Sequence, residues 1–197
     1  GKTQGNESMS DNIEGLIFDC DGTLVDSMPA HWLAWKEVTE RHGLDFPEER
    51  FYALGGVPSW QIIKMLSDEQ GVPVDVMALS HEKEEAYLPY MDQVQPLLPV
   101  VSIVSDWHGR VPMSVATGGI RSVIEPLLDH VGLSKYFDAI VTSEDVSNQK
   151  PAPDIFLEAA RRIRIPPAKC RAYEDTDLGM QAIIAAGMDA VDVRKML

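Results

Sequence analysis

Apolar residues fall in two alternating patterns along the chain, short unbroken runs and runs repeating every three to four positions. Residues 14–19 (EGLIFD) form a short apolar run ending in charge, the pattern of a buried parallel strand that empties into a loop. Pro29 then opens a helical pattern, MPAHWLAWKEVTERHG, which Gly43 ends. Residues 46–54 and 59–70 repeat the helical period across the turn-like Leu54-Gly55-Gly56-Val57-Pro58. Residues 74–91 predict a further helix, carrying a solvated charge run at 81–85. Between Met28 and Val94 no strand pattern occurs. After Pro96 and Pro99 the character changes: helices are expected at 100–107, 119–130, 153–163 and 177–186. Between them lie expected strands at 112–116 (PMSVA), 137–142 (FDAIVT), 170–173 (CRAY) and 189–193 (DAVDV).

Strands alternating with helices predict an α/β fold with a doubly wound parallel sheet, a Rossmann-like core. An all-helical insertion separates its first strand from the others. The expected organisation is a core of residues 13–28 and 95–197, an insertion at 29–94, and a disordered or appended start at 1–12. That start (GKTQGNESMSDN) is polar and lacks an apolar signal-peptide core.

The chain has 197 residues, long enough to bury a core, and 45% of them are hydrophobic. No run approaches the ~18–20 apolar residues of a membrane span. Two cysteines, Cys20 and Cys170, require no disulfide framework, and a reducing cytoplasm fits. Seventeen Lys and Arg against 31 Asp and Glu give a formal charge of −14 with no basic run, which excludes a nucleic-acid binder. A small anionic substrate stays open. One lysine at ~4 Å contributes on the order of 4 kcal/mol at intermediate dielectric, while distant charges are screened beyond ~8 Å.

In doubly wound sheets ligands bind beyond the carboxyl ends of the strands. Four polar clusters follow expected strands there: Asp19-Cys20-Asp21-Gly22-Thr23, Thr117-Gly118-Gly119, Lys150-Pro151 and Glu174-Asp175. Residues i and i+2 of an extended segment point the same way, so Asp19 and Asp21 aim two carboxylates at one volume. With Glu174 and Asp175 they form an all-oxygen set suited to a hard cation such as Mg²⁺, to which Asp21 would give its backbone carbonyl. Lys150 supplies a positive charge, and Thr117 a hydroxyl beside the N–H groups of a Gly-Gly turn. Those are the parts that hold a phosphoryl group.

The strings FDCDGTLVDS, VATGG, KPAPD and YEDTDLGMQA resemble the four ordered motifs of the haloacid dehalogenase superfamily. The likeness runs from Leu16 to the C-terminus and is greatest to the β-phosphoglucomutase-like group with a helical cap. Within that group SDWHGR and MDAVDVR are similar to segments of small phosphatases of fructose 1-phosphate and 6-phosphogluconate. The resemblance implies a Mg²⁺-dependent phosphatase of small sugar phosphates working through an aspartyl phosphate. Asp19 would be the nucleophile and Asp21 the general acid and base. Thr117 and Lys150 would bind the phosphoryl oxygens, with Gly118 and Gly119 beside them. Asp19, Asp21, Glu174 and Asp175 would hold the metal. His31 and Trp35 match positions at the cap–core junction, and Lys83 matches a cap lysine facing substrate. A monomer is expected, with no nucleic-acid or membrane partner.

Two other readings compete. A β-phosphoglucomutase-type isomerase would share the scaffold. Mutase relatives, however, carry a lysine and an arginine where this chain has Gly55 and Ser59. A non-enzymatic receiver module also clusters acids, Thr and Lys on a doubly wound sheet, but against it stand this chain's extra length, its helical insertion and an acid pair aimed as nucleophile plus proton donor. Other chemistry-bearing residues read as structural: Cys20 as a core thiol, Trp32 as packing, and His42, His81, His108 and His130 as surface or helix-end groups without metal-ligand spacing. His31 is divided between packing on Trp35 and contact at the cap interface.

Overall fold

The computed structural model describes residues 12–197, so the expected disordered start, Asn12 excepted, lies outside the described residues. Along the chain come β1 (Gly15–Phe18), α1 (Met28–Arg41), α2 (Glu48–Ala53), α3 (Ser59–Gln70), α4 (Val76–Met91) and α5 (Leu98–Trp107). Then follow β2 (Met113–Ala116), α6 (Arg121–His130), β3 (Ala139–Val141), α7 (Asp154–Ile163), β4 (Cys170–Glu174), α8 (Asp177–Ala185) and β5 (Asp189–Asp192). The five strands form one parallel sheet in the order β3-β2-β1-β4-β5. This is the doubly wound sheet the alternation predicted.

β1 is the middle strand and all four of its residues are buried. Leu16 and Phe18 pack on one face with Val100 and Val104 of α5 and Ile124, Leu127 and Leu128 of α6. Ile17 faces the other side, among Ile155, Phe156 and Ala159 of α7 and Ala182 and Ile183 of α8. Burial of each such large side chain stabilises the fold by ~1.5–3 kcal/mol. A strand covered on both faces must be apolar throughout, which is why it reads as a run. Phe18 stands opposite Val115 and Tyr173, so Asp19 and Glu174 leave the sheet side by side.

β1, β2, β3 and β5 are one to three residues shorter than their apolar runs, where flanking residues leave the ladder, and β4 extends one residue further, to Glu174. Thr142 leaves β3 to accept a hydrogen bond from the Glu144 N–H and to donate its own N–H to Asp145, 2.8 Å away. α5 starts earlier than expected, since Pro99 sits in its first turn, where no N–H is needed.

Helices α1 to α4 build their own apolar cluster, with Trp35, Val38, Phe46, Phe51, Ile62, Ile63, Leu66 and Leu79 buried. The solvated charge run expected at 81–85 needs correction. α4 packs against both α1 and α3 and buries Leu79, Lys83 and Tyr87, spaced by four, as one face. Lys83 is 3% exposed, and Glu84 beside it is largely buried. Among the described residues no helix is long and apolar enough to cross a membrane.

Candidate active site

Asp19 follows the last residue of β1 and is buried. Its N–H still donates to the Tyr173 carbonyl at 3.1 Å, which extends the sheet by one bond and fixes where the carboxylate begins. Lys150 donates to Asp19 Oδ1 at 2.9 Å, to Glu174 Oε2 at 2.6 Å and to the Ala116 carbonyl at 3.2 Å. All three ammonium protons thus have acceptors. Burial alone would lower the lysine's proton affinity, but the Asp19 and Glu174 carboxylates more than reverse this and raise it.

Asp19, Glu174 and Asp175 bring one carboxylate oxygen each within 4.8 Å of one another. Burial first, and then the neighbouring carboxylates, push both Glu174 and Asp175 above the ordinary carboxylate range. Thr23 joins the two sides by donating to Asp19 Oδ2 or Asp175 Oδ1, at 3.3 and 3.1 Å. Gly22 makes this approach possible: its φ is +80°, and a Cβ there would lie 2.1 Å from Asp175 Oδ2. Three clustered hard oxygen donors short of positive charge fit a Mg²⁺ ion.

Asp21 lies elsewhere. The N–H groups of Thr23, Leu24 and Val25 all point at the Cys20 carbonyl, so the chain turns directly after Asp19. The Asp21 carboxylate accepts from Ser27 Oγ and from His31 Nε2, the latter at 3.0 Å. It is outside the carboxylate trio, so the metal role assigned to Asp21 does not extend to its side chain. Lys83 Nζ is 2.9 Å from His31 Nδ1. Burial would raise the Asp21 carboxyl, but His31, Ser27 and Lys83 together bring it down to about 2. The chain of contacts continues from Lys83 to Glu84 Oε1 at 3.4 Å, and Ser59 Oγ donates to the same oxygen at 2.6 Å. Tyr87 stacks on the His31 ring, 4.0 Å between centroids.

One pocket collects these groups. Asp19, Asp21, His31, Trp35, Lys83, Thr117, Gly118 and Gly119 line it, together with Glu84, Ser59 and the 54–57 loop. Lys150 reaches it through Asp19, and Glu174 through Lys150. Thr117 Oγ1 accepts from the Gly119 N–H at 3.0 Å. The two Gly-Gly turns meet: a Cβ at Gly118 would sit 2.0 Å from the Gly56 carbonyl oxygen. Gly118→Ala is therefore expected to push the 54–57 loop off the site. Steady-state kinetics should show a loss of about 10²-fold in kcat/KM, with thermal stability changed by no more than about 1 kcal/mol.

Of the candidate site residues, Asp19, Asp21, His31, Trp35, Lys83, Thr117, Gly118 and Gly119 line this pocket, and Lys150, Glu174 and Asp175 adjoin Asp19. Trp35 contributes mainly packing, 2% exposed and edge-on to Phe46. His31 contacts both Asp21 and the insertion. Ser27, Glu84 and Tyr87 escaped sequence reading, since none falls in a cluster at a strand end; Thr23 lies in the first cluster and Ser59 was noted, but neither was given a role. Cys20 is wholly buried, and burial followed by Asp21 and Asp19 pushes its thiol well up, so it is inert core. His42, His81 and His130 pair with Glu82, Glu85 and the Asp92 carbonyl, and His108 packs on Tyr136.

Comparison with known proteins matches residues 13–187 to the haloacid dehalogenase-like hydrolases. The chain is 46% identical over 187 residues to the fructose-1-phosphate phosphatase YqaB of Escherichia coli, covering 94% of this chain and 99% of that protein. It is 28% identical to β-phosphoglucomutase of Bacillus subtilis over 92% of this chain and 83% of that one. The crystal structure of β-phosphoglucomutase from Clostridium difficile superposes with a TM-score of 0.84 at 25% identity, covering 91% of this chain and 84% of that one.

Proposed function

The chain belongs to the haloacid dehalogenase-like hydrolases and is a phosphatase, and from this premise we propose that it hydrolyses monophosphate esters of small sugars through a phosphorylated Asp19. The observation that carries this is the division of the carboxylates. Both line the pocket, but Asp19 is held by Lys150 and Thr23 and Asp21 by Ser27 and His31. One carboxylate is placed to attack and the other to exchange a proton.

In the first step an Asp19 oxygen attacks phosphorus, the bond from phosphorus to the sugar oxygen breaks, and that oxygen takes a proton from Asp21. Asp21 is ionised in the resting site. The anionic phosphoryl group entering beside it raises its proton affinity, as any close like charge does, and so favours the protonated form that the first step needs. In the second step Asp21 accepts a proton from water as the water oxygen attacks phosphorus and the Asp19–phosphate bond breaks. Thr117 and the Gly118 and Gly119 backbone hold phosphoryl oxygens, and Lys150 keeps Asp19 fixed between steps. Mg²⁺, held by Asp19, Glu174, Asp175 and the Asp21 carbonyl, would supply charge neutralisation for the transferred group. Residues 29–94 are the cap unit, whose closure excludes bulk water and strengthens these charge interactions.

The likeness to β-phosphoglucomutases raises transfer to a second sugar hydroxyl as the alternative. That reaction grips two phosphates at once. Among the described residues lining the pocket Lys83 is the sole lysine or arginine, and it is already engaged by His31 and Glu84. Water is the better acceptor. Phosphate released from a panel of sugar monophosphates with Mg²⁺ tests the reading, and Asp21→Asn is expected to cut turnover by about 10²–10⁴-fold. No release from the panel or from an aryl phosphate would overturn it. Phosphorus NMR showing phosphate retained on glucose would make the chain a mutase.

A further inference from the structure

Tyr87 of α4 is wholly buried, yet it does not line the pocket. Its hydroxyl has no hydrogen-bond partner among the described residues, so its contacts are those of its ring. The ring lies flat on His31, 4.0 Å between centroids and 3° from parallel. Ala34 of α1 and Val123 of α6 pack with Tyr87 in one buried cluster, so insertion and core both hold the ring in place. The Lys83 ammonium stands 5.8 Å from its centroid.

His31 needs such a neighbour. Its Nε2 is 3.0 Å from Asp21 Oδ1, and its Nδ1 is 2.9 Å from Lys83 Nζ. An imidazole turns about a broad torsion with no sharply preferred angle, and a hydrogen bond weakens steeply once its donor is misaligned. A turn of the ring would therefore part Nε2 from Asp21. A parallel ring pressed on one face blocks that turn. The Asp21 carboxylate has Ser27 and His31 as its side-chain partners, so a loosened His31 leaves it on one tether.

We propose that Tyr87 is a positioning residue for proton transfer, whose ring keeps His31 in the plane in which Nε2 meets Asp21 and so keeps the Asp21 carboxylate in the place from which it gives its proton. Tyr87 touches neither the ester nor Asp21 by a hydrogen bond; it acts through His31. The proposal rests on the phosphatase reading above, with Asp21 as the acid of its first step.

Phenyl phosphate and 4-nitrophenyl phosphate have similar shapes and differ in the alcohol they release. Nitrophenoxide leaves near neutral pH without a proton, whereas phenoxide, whose phenol has a pKa of about 10, gains from a proton delivered as its bond breaks. Because kcat/KM covers the steps up to loss of that alcohol, the phenyl-to-nitrophenyl ratio of kcat/KM reads the acid alone. Asp21→Asn sets the scale and should lower the ratio. Tyr87→Leu is expected to lower it at least about tenfold, and Tyr87→Phe, which keeps the stack, to hold it within about threefold of the unmodified protein. A merely loosened fold would slow both esters alike and leave the ratio unmoved. A smaller fall in Tyr87→Leu overturns the proposal, as does an equal fall in Tyr87→Phe. Tyr87→Met, nearer in volume, is judged by the same ratio, so a Leu variant that does not fold decides nothing by itself. Equal losses with both esters in Asp21→Asn are a different result, for they remove Asp21 as the acid and the proposal with it. No hydrolysis of either ester by the unmodified protein overturns the phosphatase reading itself.

Discussion

Asp19→Asn is expected to reduce phosphate release by about 10⁴–10⁶-fold while leaving the fold in place. An amide has no anionic oxygen to form the bond to phosphorus, and no other carboxylate is placed to replace it. Asp21 is tied to Ser27 and His31, and Glu174 is tied to Lys150. The structural cost is small for a definite reason. The change removes one of three crowded carboxylates, which relieves Glu174 and Asp175. Lys150 keeps Glu174 at 2.6 Å and the Ala116 carbonyl at 3.2 Å. Melting should therefore shift by no more than about 1 kcal/mol equivalent. Kinetics on an aryl phosphate beside a thermal melt check both parts. Residual activity above about 1% would remove Asp19 from the nucleophile's role.

What the sequence discloses about this site follows from the sheet. Parallel strands that end together put the residues after them in one place. The four clusters after β1, β2 and β4 and in the loop before α7 could therefore be joined without knowing any distance. The Asp19–Asp21 pair shows where such reasoning stops. Alternation along an extended chain placed both carboxylates in one volume, and both do line the pocket. The turn around the Cys20 carbonyl ends the extended geometry at once, however, and separates their partners. On the proposed mechanism that separation assigns one the nucleophile's part and the other the proton carrier's.

The burial of Lys83 and Glu84 was hidden for another reason. HEKEE inside a helix has the composition of a solvated face, and charge composition carries no information about which neighbours that helix meets. α4 is wedged between α1 and α3, and the contacts that bury Lys83 come from His31 and Trp35, about fifty positions earlier. The spacing of Leu79, Lys83 and Tyr87 by four held the signal, for two large apolar residues on one stripe bury the lysine between them. Ser27 gave no such sign, since its hydroxyl acquires meaning only from the Asp21 carboxylate that faces it.

Lys150→Met should have the largest effect on stability as well as abolishing turnover. Lys150 is 1% exposed and is the cation among Asp19, Glu174 and, next to it, Asp175. Methionine fills a similar length and leaves the carboxylates without it. Removing one partner of a buried ion pair costs about 3–5 kcal/mol, or roughly 6–20 °C in Tm for a chain of this size. The deficit has a pH dependence of known sign. Glu174 and Asp175 already stand above their ordinary values of 4.5 and 3.8, and loss of the ammonium raises them further. The folded variant then holds protons that the unfolded chain gives up above about pH 4.5, so its stability falls as pH rises. Thermal melts in chelator should show the variant closest to the unmodified protein near pH 5 and furthest below it near pH 8. A deficit that stays constant across that window would mean that Lys150 stabilises by packing rather than by its charge.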